Sequence, residues 1–223
     1  MTVHDVSPRT PEWFDLRRPR VGGTDAKAVT STLRNGGEPA ARRDLRTRIA
    51  LSRLDIQLED PVFTNADIER GIRLEPLAIS HLEMTRSEAI TPVGYVSHAT
   101  LYAGVSPDGW IGDGAVEIKA PRPSNQLAAY RLAEHETGVD AVPAQYRSQL
   151  IHHFCVDPSR QFVIWASFCE EMPAALQLLT HTIERESITD RVGDYVIDLT
   201  AFCAEVDREI ALITGLIDRQ KGR

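Results

Sequence analysis

Covalent and membrane anchors are scarce in this chain. Of its 223 residues only three are cysteine, at positions 155, 169 and 203. An odd, widely spaced set argues against a disulfide framework and fits a reducing cytosol. It also excludes an iron–sulfur cluster, which takes four thiolates, and a zinc finger. No apolar run approaches the length that spans a bilayer, and the opening MTVHDVSPRTPEW lacks the apolar core of a signal peptide. Positive charge is also short: 25 Lys and Arg against 32 Asp and Glu leave a net −7. That total is unfavourable for a polyanionic partner but does not exclude one. Arginines cluster at 17, 18 and 20 and again at 42, 43, 46, 48 and 53, and local charge outweighs the sum. Neither internal repeats nor low-complexity segments occur.

What is present reads as short alternating elements. Pro11–Arg17 is a helical turn opened by its proline. Residues 20–25 form a glycine turn, from which Thr24 or Asp25 caps a helix running toward Leu33. A helix is predicted over 40–58, with Leu45, Ile49, Leu51 and Leu54 as its buried stripe. Asn65 or Thr64 caps the next, over 66–85, whose apolar side is Ile68, Ile72, Leu74, Leu77, Ala78 and Leu82. Pro76 should kink or break it just after Glu75. Strands follow over 90–98 and 101–105, then a hairpin, then helices over 124–136 and 143–154. Two more strands, 161–168 and 176–184, precede an amphipathic helix over 194–219. Helices flanking a short run of strands predict an α/β or α+β fold, with a flexible arm over 1–10 and one domain over 11–223.

The chain's chemistry concentrates in residues 106–121, SPDGWIGDGAVEIKAP. Asp108 sits in a Pro-Asp-Gly turn, and Gly112-Asp113-Gly114 is a second turn signal. The strand that follows puts Val116 and Ile118 on one face and Glu117 and Lys119 on the other. Folded back, the hairpin gathers two carboxylates and an ammonium on one side. Such a pair suits a hard divalent cation such as Mg²⁺, which prefers oxygen ligands and keeps several waters. A metal so held can generate hydroxide and clamp a phosphodiester oxygen. A lysine two residues on can orient the water or stabilise developing negative charge. Taken alone, the same residues also describe a solvated Asp-Gly hairpin.

Pro107-Asp108 with Glu117-Ile118-Lys119 resembles the PD-(D/E)xK nuclease signature, and three further stretches extend the likeness in order. They are Trp13 to Arg17 with Val21 to Asp25, Gly71 to Pro76 with Glu75 at its end, and Tyr146-Arg147-Ser148-Gln149. Together they resemble the phage-type alkaline exonucleases of the lambda exonuclease and YqaJ recombinase group, over about residues 12–168. Departures are Ala120, where the family often has Cys or Ser, and Ile151, where it often has a second glutamine.

The resemblance implies a restriction-endonuclease-like core and a Mg²⁺-dependent exonuclease, with Mn²⁺ as a substitute and two ions in the site. Asp108 and Glu117 would hold the metals, with the Ile118 carbonyl as a further ligand and Glu75 assisting. Lys119 would activate the nucleophile or stabilise the transition state, and Gln149 would orient water or phosphate. Arg17 and Thr24 would receive a 5′-phosphate end. Implied partners are double-stranded DNA ends, a single-strand annealing protein and further copies of the chain in a trimer, in a bacterial or phage-infected cytoplasm without membrane attachment. A structure-specific endonuclease and a non-catalytic end-binding module stay open as alternatives. Read without the family, Arg17 is a surface arginine, Thr24 a plain cap, Glu75 a solvent-facing glutamate and Gln149 a helix-surface residue. His152 and His153 read as polar rim residues, and the arginine run 42–53 as a solvated helix face more than a DNA groove.

Overall fold

The structure, a computed structural model, describes residues 1–56 and 65–221. The first ten residues, expected to be an arm, open instead with strand β1 (Thr2–His4), tied down where the His4 ring bonds Ser97. Thr10 accepts from the Trp13 N–H and caps α1 (Pro11–Arg17). One 3₁₀ turn, Gly23–Asp25, runs directly into the short α2 (Ala26–Thr30), which ends before Leu33. Asp25 accepts from the Gly22 N–H behind it rather than from the turn ahead. The next helix, α3 (Ala40–Arg53), buries Leu45, Ile49 and Ala50 and half-covers Leu51 and Leu54. Its expected last residues, 57 and 58, lie outside the described residues, as does Thr64, the alternative cap of the following helix. Asn65 caps that helix, α4 (Ala66–Arg86), accepting from the N–H groups of Asp67 and Ile68.

Of the kink or break expected at Pro76, the break does not occur, and α4 continues to Arg86. The N–H that proline lacks would have bonded the carbonyl of Ile72, an exposed residue where water can take its place. Its buried stripe is also narrower: Leu74, Ala78 and Leu82 are covered, while Ile68, Ile72 and Leu77 are exposed. Residues four apart lie one above another, so a single row suffices to seat a helix on a sheet.

Strands β2 (Tyr95–Ser97) and β3 (Gly104–Val105) are shorter than the sequence suggests. Pro92 cannot donate to a ladder, and before Gly94 only an isolated bridge from Thr91 to Trp110 forms. These strands and β1 make one antiparallel sheet in the order β1-β2-β3. A second sheet has the order β4-β5-β6-β7, from β4 (Gly109–Ile111), β5 (Gly114–Lys119), β6 (Phe162–Phe168) and β7 (Leu178–Glu184). Only β5 and β6 are parallel, and α5 (Pro123–Ala133) and α6 (Ala144–Val156) fill the crossover between them. Helix α7 (Thr189–Lys221) follows β7.

This gives the mixed α/β fold expected, with helices on both faces of the four-stranded sheet. Val116 and Ile118 pack with Leu74, Ala78 and Leu82 of α4 on one face. Ala115 packs with Leu150 and Phe154 of α6 and Trp165 of β6 on the other. A third cluster joins α2, α3 and α7 through Val29, Ile49, Leu199 and Phe202. All three cysteines are free and buried. Among the described residues no helix is long and apolar enough to cross a membrane.

Candidate active site

Strand alternation brings Glu117 and Lys119 to the α6 face of the sheet. Asp108 joins them by extending the ladder past the start of β4. Its N–H donates to the Val116 carbonyl at 3.0 Å, and its Oδ2 then accepts from the Ile118 N–H at 2.5 Å. A strand residue sends its N–H and carbonyl to the same edge, so the Ile118 carbonyl also emerges on the Asp108 side. The hairpin that sets this register is tight, with Ile111 opposite Gly114 and Gly112 at φ +50°, where glycine meets no steric penalty.

Glu117 is the hub. Its Oε1 accepts from Lys119 Nζ and from Gln149 Nε2, the latter at 2.6 Å, and its Oε2 bonds His153 Nε2 at 2.9 Å. Gln149 and His153 are four residues apart on α6, so one helix face presents both. Lys119 Nζ also lies 5.2 Å from the centre of the Tyr146 ring. Burial pushes the Glu117 carboxyl up, but Lys119 and His153 outweigh it and bring the pKa to about 2. Burial would likewise lower Lys119, yet Glu117 and Asp108 raise it, so the ammonium is kept. Asp108 goes the other way. Burial, then the charges of Glu117 and Glu75, hold its carboxyl well above the usual carboxylate range.

Of the predicted residues, Arg17, Thr24, Glu75, Asp108 and Gln149 line one cavity of about 430 Å³ together with His153, while Glu117, Ile118 and Lys119 do not line it and reach it through Asp108, Gln149 and His153. Arg17 Nη2 donates to Thr24 Oγ1 at 3.0 Å, and its guanidinium lies 4.8 Å from the Trp13 ring centre. Trp13 Nε1 in turn donates to Ser106 Oγ at 3.2 Å, fastening α1 to the loop that carries Asp108. Thr24 lies inside the 3₁₀ turn, so its hydroxyl serves Arg17 instead of capping a helix. Glu75 hydrogen-bonds none of the other predicted residues; its ion-pair partner is Arg9 Nη2 at 3.7 Å. Burial raises its pKa against the pull of Arg9.

Two readings of individual residues are corrected. His152 and His153, taken as rim residues, are both buried. His152 bonds the Tyr195 hydroxyl at 2.8 Å and the Gly104 carbonyl at 3.1 Å, and burial pushes it down to about 4. His153 belongs to the site itself, and its four-residue spacing from Gln149 is the signal that could have found it. Arg9, which also lines the cavity, was missed because nothing in its local sequence marks it. In the arginine run of α3, Arg43 and Arg53 are exposed as a solvated face would have them, but the other arginines are not a free basic track. Arg42 and Arg46 pair with Glu38, Glu205 and Glu209, and Arg48 pairs with Asp25.

The donor set fits a hard divalent cation. Among the described residues no three His, Cys, Asp or Glu side chains converge into a ready-made metal cage. Mg²⁺ needs no such cage, since it binds through one or two carboxylates and completes its shell with water and substrate phosphate. Asp108 is buried beside Glu117 and Glu75, and a cation there would offset their shared negative charge.

The fold and this cluster define a nuclease. Residues 12–157 match the YqaJ-like viral recombinase domain, and the chain belongs to that family. Among solved structures it is similar to the alkaline exonuclease LHK-Exo from Laribacter hongkongensis, with 25% identity and a TM-score of 0.79, covering 95% of this chain and 100% of that one. LHK-Exo in complex with dAMP is similar to the same extent of coverage, with 26% identity and a TM-score of 0.77. A phage-related exonuclease from Haemophilus somnus 129PT shares the fold, with 13% identity, a TM-score of 0.62 and coverage of 87% and 96%. No curated protein sequence matches the chain.

Proposed function

We propose that the protein is a Mg²⁺-dependent 5′-to-3′ exonuclease that degrades one strand of duplex DNA from a 5′-phosphorylated end and leaves a 3′ overhang. The observation that carries this is the shared cavity: the Arg17–Thr24 pair and the Asp108–Glu75 carboxylates line the same space. A nuclease that cuts within a strand has no need of an end-phosphate grip in the cavity that its carboxylates line. In this reading Asp108, Glu117 and the Ile118 carbonyl hold the metal, two ions in all, with Glu75 assisting. When bound, the cation supplies Lewis acidity and a water of lowered pKa.

The chain's own residues do the rest. Arg17, its fork set by Thr24 and the Trp13 ring, grips the terminal phosphate bidentately. Lys119 keeps its ammonium, which suits it to stabilise negative charge on the scissile phosphate rather than to accept a proton. Gln149, uncharged, fixes Glu117 and offers its amide to water or phosphate. The overhang would be handed to a single-strand annealing protein, and a trimeric ring in the cytoplasm would keep the enzyme on its track. The deciding experiment is digestion of 5′- and 3′-labelled linear duplex, and of covalently closed circles, with and without Mg²⁺. Release of 5′ label from linear DNA alone is expected; cutting of closed circles would overturn the reading.

A further inference from the structure

Glu117 is held more tightly than its place in the reading above requires. An ionised carboxylate offers about four acceptor positions, two on each oxygen. Lys119 and Gln149 take both of those on Oε1, and His153 takes one on Oε2. One position is left, on Oε2. His153 is 3% exposed and Glu117 4% exposed, so water does not compete for this bond. The bond also fixes the imidazole. An ionised carboxylate only accepts, so Nε2 must carry the hydrogen. The neighbouring His152 points elsewhere and serves the Tyr195 hydroxyl and the Gly104 carbonyl. The two adjacent histidines therefore have separate duties: one closes the core, the other faces the catalytic cavity.

We propose that His153 is a positioning residue of the catalytic centre, which donates from Nε2 to Glu117 Oε2 and so presents a single carboxylate position to the divalent cation. The proposal rests on the metal-nuclease reading and adds to it the residue that orients the ligand. Partners of this kind, a hydrogen bond away from a ligating group, typically change metal affinity by roughly 10- to 100-fold when removed. A side chain that merely filled space would not, provided its replacement filled the same space.

The test is Mn²⁺ titration calorimetry on the DNA-free protein, for wild type, His153→Leu, His153→Gln and Asp108→Ala. Leucine removes the donor, whereas the glutamine amide places an N–H near the position of Nε2. A drop of roughly 10- to 100-fold in His153→Leu, recovered in large part by His153→Gln, is expected. Equal affinity in wild type and His153→Leu, or an equal loss in both His153 variants, would overturn the proposal. Should His153→Leu not fold, nitrogen-15 spectra of wild-type histidines decide, because an Nδ1–H tautomer at His153 contradicts the bond. Asp108→Ala separates the two levels. If it binds Mn²⁺ like wild type, the metal-site reading fails; if it alone loses Mn²⁺, only the role of His153 does.

Discussion

A Cβ on Gly23 would stand 2.9 Å from Cγ of Gln149. No real side chain tolerates that contact, so Gln149 reaches Glu117 only because residue 23 has none. Gly23→Ala should push Gln149 off the carboxylate and slow cleavage about as much as Gln149→Ala does. The double variant should be little worse than either single one, since both remove the same contact. Single-turnover rates on linear duplex for the three variants check this, and a fully multiplicative loss would show that Gly23 acts by another route.

Asp108→Asn should stabilise the metal-free protein while abolishing cleavage. The folded-state pKa of Asp108 is raised, by burial first and then by Glu117 and Glu75. A raised carboxyl favours the fold while protonated, below its unfolded value of about 3.9. That contribution is lost as pH climbs through the folded value, above which a buried anion beside Glu117 destabilises the fold. Asparagine keeps an acceptor for the Ile118 N–H without the charge. In EDTA at neutral to alkaline pH we expect a gain on the order of 1 kcal/mol, about 2–4 °C in Tm, shrinking toward acid pH. A melting point below wild type across that range would contradict it.

Lys119 lies between Glu117 and the Tyr146 ring, with its charge kept. Lys119→Ala should lower the single-turnover rate by roughly 10²-fold or more and leave DNA binding almost unchanged. Lys119→Arg should rescue poorly, because a planar fork does not replace a compact ammonium in a closed space. Near-wild-type turnover without the lysine would remove it from the chemistry.

Arg17 and Thr24 act as a unit in the proposed end grip. Arg17→Ala should slow digestion of 5′-phosphorylated ends by roughly ten- to a hundredfold, the worth of a lost charge-assisted contact of about 1.5–3 kcal/mol. It should barely affect 5′-hydroxyl ends, which lack the partner. Equal slowing on both substrates, with a flatter salt dependence of binding, would assign Arg17 to general backbone contact instead.

The arginines of α3 make the opposite prediction. Arg42 donates to Glu205 at 2.6 and 3.1 Å and to Glu38 at 2.9 Å, which ties α3 to α7. Arg42→Ala should therefore cost about 1–3 kcal/mol of stability and leave the salt slope of DNA binding unchanged. A reduced slope with unchanged stability would return this helix to the DNA surface.

Residues fixed by local patterning were legible in the sequence. The alternation of β5 placed Glu117 and Lys119 together, the glycine turn brought Asp108 to them, Pro11 opened α1 and the cap at Asn65 opened α4. Arg17 and Asp108 share a cavity as the family resemblance implied, although no local rule joins residues so far apart. What escaped was set by tertiary partners. The α3 arginines look basic until α7 supplies the carboxylates, and His153 looks like a rim residue until the sheet beneath it supplies Glu117. At Pro76 a kink or break is expected, and the break does not occur because the carbonyl that loses its partner belongs to the exposed Ile72.

The parallel pairing of β5 with β6 also bears on how the protein comes off the ribosome. Gly114 faces Phe162 and Lys119 faces Ser167, a separation of 48 residues in both rungs (162 − 114 and 167 − 119). During synthesis the strand bearing Glu117 and Lys119 emerges long before its partner, with the β4 hairpin and α4 as the neighbours already made. Both donors from α6 also arrive later. The nascent chain therefore carries its acidic residues unassembled until β6 has cleared the exit tunnel.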